Sequence, residues 1–173
     1  MSTTPPIPDW LRRLLRASAG HRYYCLVVAL IAFVSTATFT FPFAMVLIPA
    51  VLIAPQRWLT LGLLCGVASG AGGAVLVEVF GFLGRELVLA RFPQAVASES
   101  WHFISDWIEH YGLFALMLIA GSPMPQTPAV FLYSLATPST FGAMLAIGTG
   151  KTVKYVVLAW LTKRYPAWFI GYR

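Results

Sequence analysis

Lys151 and Lys154 stand three residues apart and are the only charged residues between Tyr111 and Thr162. Residues three apart share a helix face. An ammonium at the centre of a bilayer costs about 2.5–3.5 kcal/mol on insertion scales, so it needs a partner or a wet cavity. Two such lysines on one face could hold a phosphate as point charges. Glu78 is the corresponding oddity of the first half, where only it and Arg57 are charged between Tyr23 and Gly84. An ion pair from Glu78 to Lys151 or Lys154 would relieve part of both burial costs. Pro123, Pro125, Gln126 and Thr127 form a polar break in an apolar run, with Gln126 and Thr127 as uncharged hydrogen-bonding groups. Lys151, Lys154, Glu78, Gln126, Thr127, Pro123 and Pro125 are therefore the candidate binding set.

Other chemistries find no support in the residue pattern. Gly148-Thr-Gly-Lys-Thr152 imitates a phosphate loop, but Leu145 stands where that loop requires its first glycine and no strand precedes it. His21, His102 and His110 lack metal-ligand spacing, so neither a metal nor another cofactor is expected. No Ser-His-Asp or Cys-His set can be assembled, and no catalytic residue is assigned. Cys25 and Cys65 lie in apolar runs and read as small buried hydrophobes.

The segments that carry these residues read as belonging to a membrane. The chain has 173 residues, 58% hydrophobic and 10% charged, with a net charge of +6. Soluble domains carry about 25% charged residues. The basic balance does not indicate nucleic acid, because the charges crowd into 1–22, 85–110 and 163–173. That is the pattern of hydrocarbon-buried segments with wet ends, not of a face that tracks phosphates.

Along the chain, a basic tail (1–22) holds an amphipathic turn, with Trp10, Leu11, Leu14 and Leu15 opposite Arg12, Arg13 and Arg16. Residues 23–41 read as an uncleaved anchor span, long enough for about 30 Å of hydrocarbon. Pro42, Pro49 and Pro55 punctuate the next apolar stretch, which reads as a broken, re-entrant hairpin. A long helix over 58–84 carries Gly62, Gly66, Gly70 and Ala74 at every fourth position, and the next step is Glu78. Such a ridge lets another backbone approach closely. Residues 85–110 read as an interfacial segment with Trp101, Ile104, Ile108 and Tyr111 at helical spacing. The apolar run 111–137 is again broken, at Gly121–Pro128, as a second re-entrant hairpin. A final helix over about 140–162 repeats the ridge with Gly142, Ala146 and Gly150, and the next step is Lys154.

The two halves share a plan: a proline-broken segment, a Pro-x-x-aromatic entry (Pro55 to Trp58, Pro138 to Phe141), then a ridged helix. Paired broken segments point to inverted repeats with a site at their interface. The expected fold is thus all-α and integral to the membrane: two inverted half-repeats, each a re-entrant hairpin plus a long Gly-rich helix, behind an N-terminal anchor. The transmembrane domain covers 23–165, and 166–173 form a tail. Arg12, Arg13, Arg16 and Arg22 predict a cytoplasmic N-terminus. A re-entrant 111–137 would put the C-terminal cations outside, whereas a full crossing would put them inside.

Ser122-Pro-Met-Pro-Gln-Thr-Pro128, Phe141 and Gly150-Lys-Thr-Val-Lys-Tyr155 together resemble the DedA (SNARE-associated, VTT-domain) family, above all its YqaA-like branch. There a Pro-x-Pro re-entrant turn precedes a Gly-Arg-x-x-Lys-Tyr-like stretch. Phe41-Pro42-Phe43 and Ser69-Gly-Ala-Gly-Gly73 look like that family's first half, so the resemblance covers roughly 40–165. It implies a bacterial inner-membrane protein with two oppositely inserted hairpins. It also implies translocation or scrambling of an anionic phospholipid or polyprenyl-phosphate carrier between leaflets, sometimes tied to protons. Pro42, Pro49, Pro128 and Gly150 would then shape the hairpins. Ala44 and Thr127 stand where the family often carries charge, so a proton step cannot rest on those positions. Membrane lipids are the expected partners; a proton- or ion-coupled solute transporter and a non-transporting scaffold are the alternatives.

Overall fold

The structure is a computed structural model and describes residues 23–38, 42–91, 99–124, 126–136 and 139–170. In chain order its helices are α1 (Tyr24–Thr38), α2 (Ala44–Ile53), a 3₁₀ turn (Pro55–Arg57), α3 (Trp58–Arg91), α4 (Glu99–Gly121), α5 (Thr127–Ala136), α6 (Thr140–Arg164) and α7 (Pro166–Ile170). No strand occurs among the described residues. Two stretches, Pro55–Gly84 and Thr140–Arg164, are long and apolar enough to cross a membrane.

Small residues decide how α3 and α6 meet. A Cβ placed on Gly62 would lie 2.9 Å from the Val156 Cα, one on Gly66 2.5 Å from the Thr152 Cα, and one on Gly70 2.8 Å from the Gly148 Cα. Each four-residue step up α3 is a four-residue step back along α6, so the helices run antiparallel with backbones nearly touching. Every other helix leans on this pair. α1 lies along α3 in the same direction, with Ser69 Oγ 3.5 Å from the Ala32 carbonyl and Gly72 against Phe33 and Thr36. α2 packs on α6, where the Phe43 and Tyr155 rings are 5.1 Å apart. α4 lies along α6, with Gly142 against Leu113 and Gly150 against Met117 and Gly121. α5 packs on α3 through the edge-on ring pair Phe80–Phe131, at 5.6 Å.

Two cores result. Tyr24, Val28, Leu47, Leu61, Cys65 and Ala159 belong to the first, and Leu76, Val77, Val130, Tyr133, Ala143 and Ile147 to the second. The outside is apolar as well: Leu26, Leu30 and Val34 on α1, Leu59, Leu63 and Val67 on α3, and Leu145, Val153 and Val157 on α6 are all exposed. Greasy outer stripes on helices that also bury a core are compatible with an all-α membrane protein.

Several sequence expectations need correction. The anchor expected over 23–41 is helical over Tyr24–Thr38, a 15-residue stretch of about 22 Å, and 39–41 lie outside the described residues. Pro49 does not break its segment but sits inside the ten-residue α2, where it removes only its own backbone donor. The break falls instead at Ala54 (φ −132°, ψ 67°), because the residue before Pro55 is driven out of the helical region. Tyr165, ahead of Pro166, ends α6 in the same way (φ −128°, ψ 60°). The interfacial segment and the following apolar run are one 23-residue helix, α4, with no proline between Glu99 and Gly121. The long helix expected to stop near Gly84 continues to Arg91. The amphipathic turn at Trp10–Arg16, together with Phe41, Pro125 and Pro138, lies outside the described residues.

Candidate functional site

The chemistry gathers on the middle of α6. Lys151 lies about 16 Å along the axis from Thr140, and Lys154 about 15 Å from Arg164, at 1.5 Å per residue. Lys151 is buried, with 8% of its surface exposed, and its Nζ donates to Thr36 Oγ1 of α1 at 2.8 Å. Lys154 is half-buried, and its Nζ donates at 2.6 Å to the carbonyl of Ser122, just past the end of α4. The two lysines therefore share a face only loosely: about 60° of helix rotation sends one toward α1 and the other toward α4.

Neutral polar groups complete the surroundings. Tyr155, one turn beyond Lys151, is buried and hydrogen-bonded to Ser69, which itself donates to the Ala32 carbonyl. Ser35, Thr36 and Ser69 are buried beside apolar neighbours. Among the described residues no carboxylate comes within ion-pair distance of either lysine; the exposed His110 and Asp106 lie 3.7 Å apart on α4. Two lysine amines midway along α6, each with a neutral acceptor, would find a stronger partner in an anion.

The proposed Glu78 ion pair is not formed. Glu78 is exposed and accepts a hydrogen bond from Thr140 Oγ1 at the start of α6. The antiparallel register explains this, because four-residue steps from Gly70 reach Glu78 just as α6 runs out at Thr140. Lys151 and Lys154 lie about 16 and 21 Å further down the helix. The expected meeting of the two ridges is also corrected. Gly70 faces Gly148, while Gly142 and Gly150 face α4. Residues 148 and 150 are about 200° apart around a helix, so they serve opposite neighbours.

The remaining described candidates follow Ser122 in the chain. Pro123 is exposed, Gln126 and Thr127 are half-buried, and Pro128 is an exposed residue in the first turn of α5. The group that meets Lys154 is the Ser122 carbonyl, a backbone atom that no reading of side chains could single out. Thr36, Ser69 and Tyr155 were also missed as site residues. Their only sequence signal is that hydroxyls fall in otherwise apolar helices, which is common in membrane segments. Cys25 and Cys65 are buried free thiols, as read.

No family model, curated protein or solved structure matches this chain.

Proposed function

We propose that this chain is a membrane lipid translocase or scramblase of the DedA/VTT kind, moving an anionic phospholipid or polyprenyl phosphate between leaflets. The observation that carries the reading is the placement of Lys151 and Lys154: midway along α6, with no carboxylate at ion-pair distance among the described residues, each bonded to a different helical hairpin. A lipid phosphate is the anion such a centre would accept from within a membrane.

The inverted-repeat architecture belongs to the same proposal. In each half the first helix lies along its own long helix and the short helix crosses to the long helix of the other half: α1 on α3 and α2 on α6, then α4 on α6 and α5 on α3. That exchange supports two half-repeats, α1–α3 and α4–α6, with α1–α2 and α4–α5 as hairpins entering from opposite sides. It also removes the conflict over sidedness. If α1 and α2 enter and leave on one side, only α3 and α6 cross. The N-terminus, Arg57, Lys163 and Arg164 then share a side, and Asp106 and Glu109 lie opposite. Lys163 stacking on the Trp58 ring at 5.4 Å and the stacked Tyr165–Trp168 pair mark that first end as a basic, aromatic interface. The basic end faces the cytoplasm, in a bacterial inner membrane.

Reconstitution tests this directly. In vesicles carrying a headgroup-labelled phosphatidylglycerol, the protein should expose inner-leaflet probe to an external quencher, and Lys151→Met with Lys154→Met should abolish that signal. Equal rates with and without the protein would refute the reading.

A further inference from the structure

The two lysines are usually alike in chemistry, yet here they hold different parts of the molecule. Lys151 ties α6 to α1 through Thr36, two residues before α1 ends at Thr38. Lys154 ties α6 to the end of α4 through Ser122, one residue after Gly121. Both bonds are tertiary, spanning 115 and 32 residues of sequence, and both place a lysine Nζ on a neutral oxygen. Neither acceptor carries the negative charge that would make the attachment permanent. An arriving phosphate is a stronger partner for an ammonium than a hydroxyl or a carbonyl.

We infer that Lys151 and Lys154 are two separate clasps, each fastening one hairpin to α6, and that an anionic headgroup phosphate opens a clasp by taking its lysine. This rests on the lipid-transport reading and assigns the regulation of its site. Occupation of Lys154 releases α4–α5, the pair whose apolar core includes Leu116, Ala120 and Val130. Occupation of Lys151 releases α1–α2, whose core includes Val28, Val46 and Leu47. The two openings lead to opposite membrane faces, and the lysines are only three residues apart on α6. A phosphate handed from one ammonium to the other therefore changes the hairpin that is free without travelling far. The seam between α3 and α6, where the backbones come too close to admit a Cβ at Gly62, Gly66 or Gly70, is not part of either clasp.

Thiol labelling distinguishes the clasps in a Cys25→Ala, Cys65→Ala background, in phosphatidylcholine–phosphatidylglycerol vesicles. Val130→Cys reports on α5 and Val46→Cys on α2, both positions being fully buried in the closed protein. Lys154→Met should speed maleimide labelling at position 130 by about three- to tenfold, the shift expected for losing one charge-assisted hydrogen bond in a membrane, and leave position 46 unchanged. Lys151→Met should do the reverse. So should Thr36→Val, which keeps the lysine and the side-chain volume but removes the acceptor. Labels that rise together, as in a protein that has merely loosened, or that do not move, overturn the two-clasp inference. Probe scrambling by the unmutated protein is measured in the same vesicles. Its absence removes the transport reading, while the labelling pattern still decides the clasps.

Discussion

Among the described glycines of α3, Gly66 makes the sharpest stability prediction. At Gly66 a Cβ would stand 2.5 Å from the Thr152 Cα and closer still to the Thr152 hydroxyl. Carbon atoms in contact sit about 3.5–4.0 Å apart, so Gly66→Ala must push the helices apart by about 1 Å. No rotamer change relieves this, since one of the clashing atoms is backbone. A radial gap of about 0.5–1 Å forfeits a quarter to a half of each dispersion contact along the seam. The cost should reach about 2–3 kcal/mol, the upper range for overpacked cores. Gly148, on the facing helix, provides the control. Its Cβ would meet the Gly70 Cα at 3.5 Å and the Gly66 carbonyl at 3.9 Å, both ordinary contacts. Gly148→Ala should therefore be neutral, or gain up to about 1 kcal/mol from helix propensity. Reversible unfolding in mixed micelles, followed by circular dichroism, measures both. Should Gly66→Ala unfold no more easily than Gly148→Ala, the register and the close approach of α3 to α6 are wrong.

Further predictions concern the charges. Glu78→Gln should leave scrambling in vesicles unchanged and cost at most about 1 kcal/mol in unfolding, because its exposed bond to Thr140 lies far from the lysines. Gly150→Val should be more damaging than Gly81→Ala by unfolding in micelles, since Gly150 abuts the α4 backbone at Met117 and Gly121 whereas a Cβ at Gly81 meets only the Ser134 carbonyl, at 3.5 Å. The His110 imidazole, held by the Asp106 carbonyl and then by the Asp106 charge, should titrate above its ordinary 6.5. Its small contribution to stability is then complete below that value and fades as pH rises through the raised one. Imidazole chemical shifts against pH check the direction, and Asp106→Asn should remove the charge part while leaving the carbonyl bond. A cysteine replacing Trp168 and one replacing Asp106 should react with impermeant maleimide from opposite sides of right-side-out cells; reaction from the same side would refute the proposed orientation.

The helical class was legible because apolar helices obey simple packing rules. Gly62, Gly66 and Gly70 repeat every fourth residue, and only a helix with a close neighbour makes use of that spacing. Lys151 and Lys154 stand out because a charge in an apolar run is costly wherever the chain folds. Helix ends were partly legible: Pro55 and Pro166 stop the preceding helix through their effect on Ala54 and Tyr165, local geometry that needs no partner. Pro49 looked equally decisive and was not, since a short helix covered by protein tolerates one missing donor.

An apolar chain with few charges already pointed to helices compatible with a membrane and to the residues whose burial would need explaining. Those follow from transfer energies and backbone sterics, which act on each residue before anything packs. Which residues meet could come only from the packed fold. A small-residue ridge says that something comes close but not what, so the facing of Gly70 to Gly148 and of Gly150 to α4 had to come from three-dimensional register. The same register carried Glu78 to Thr140 and away from both lysines. It also gave Lys151 to Thr36 and Lys154 to a backbone carbonyl, because about 60° around one helix is enough to reach different neighbours.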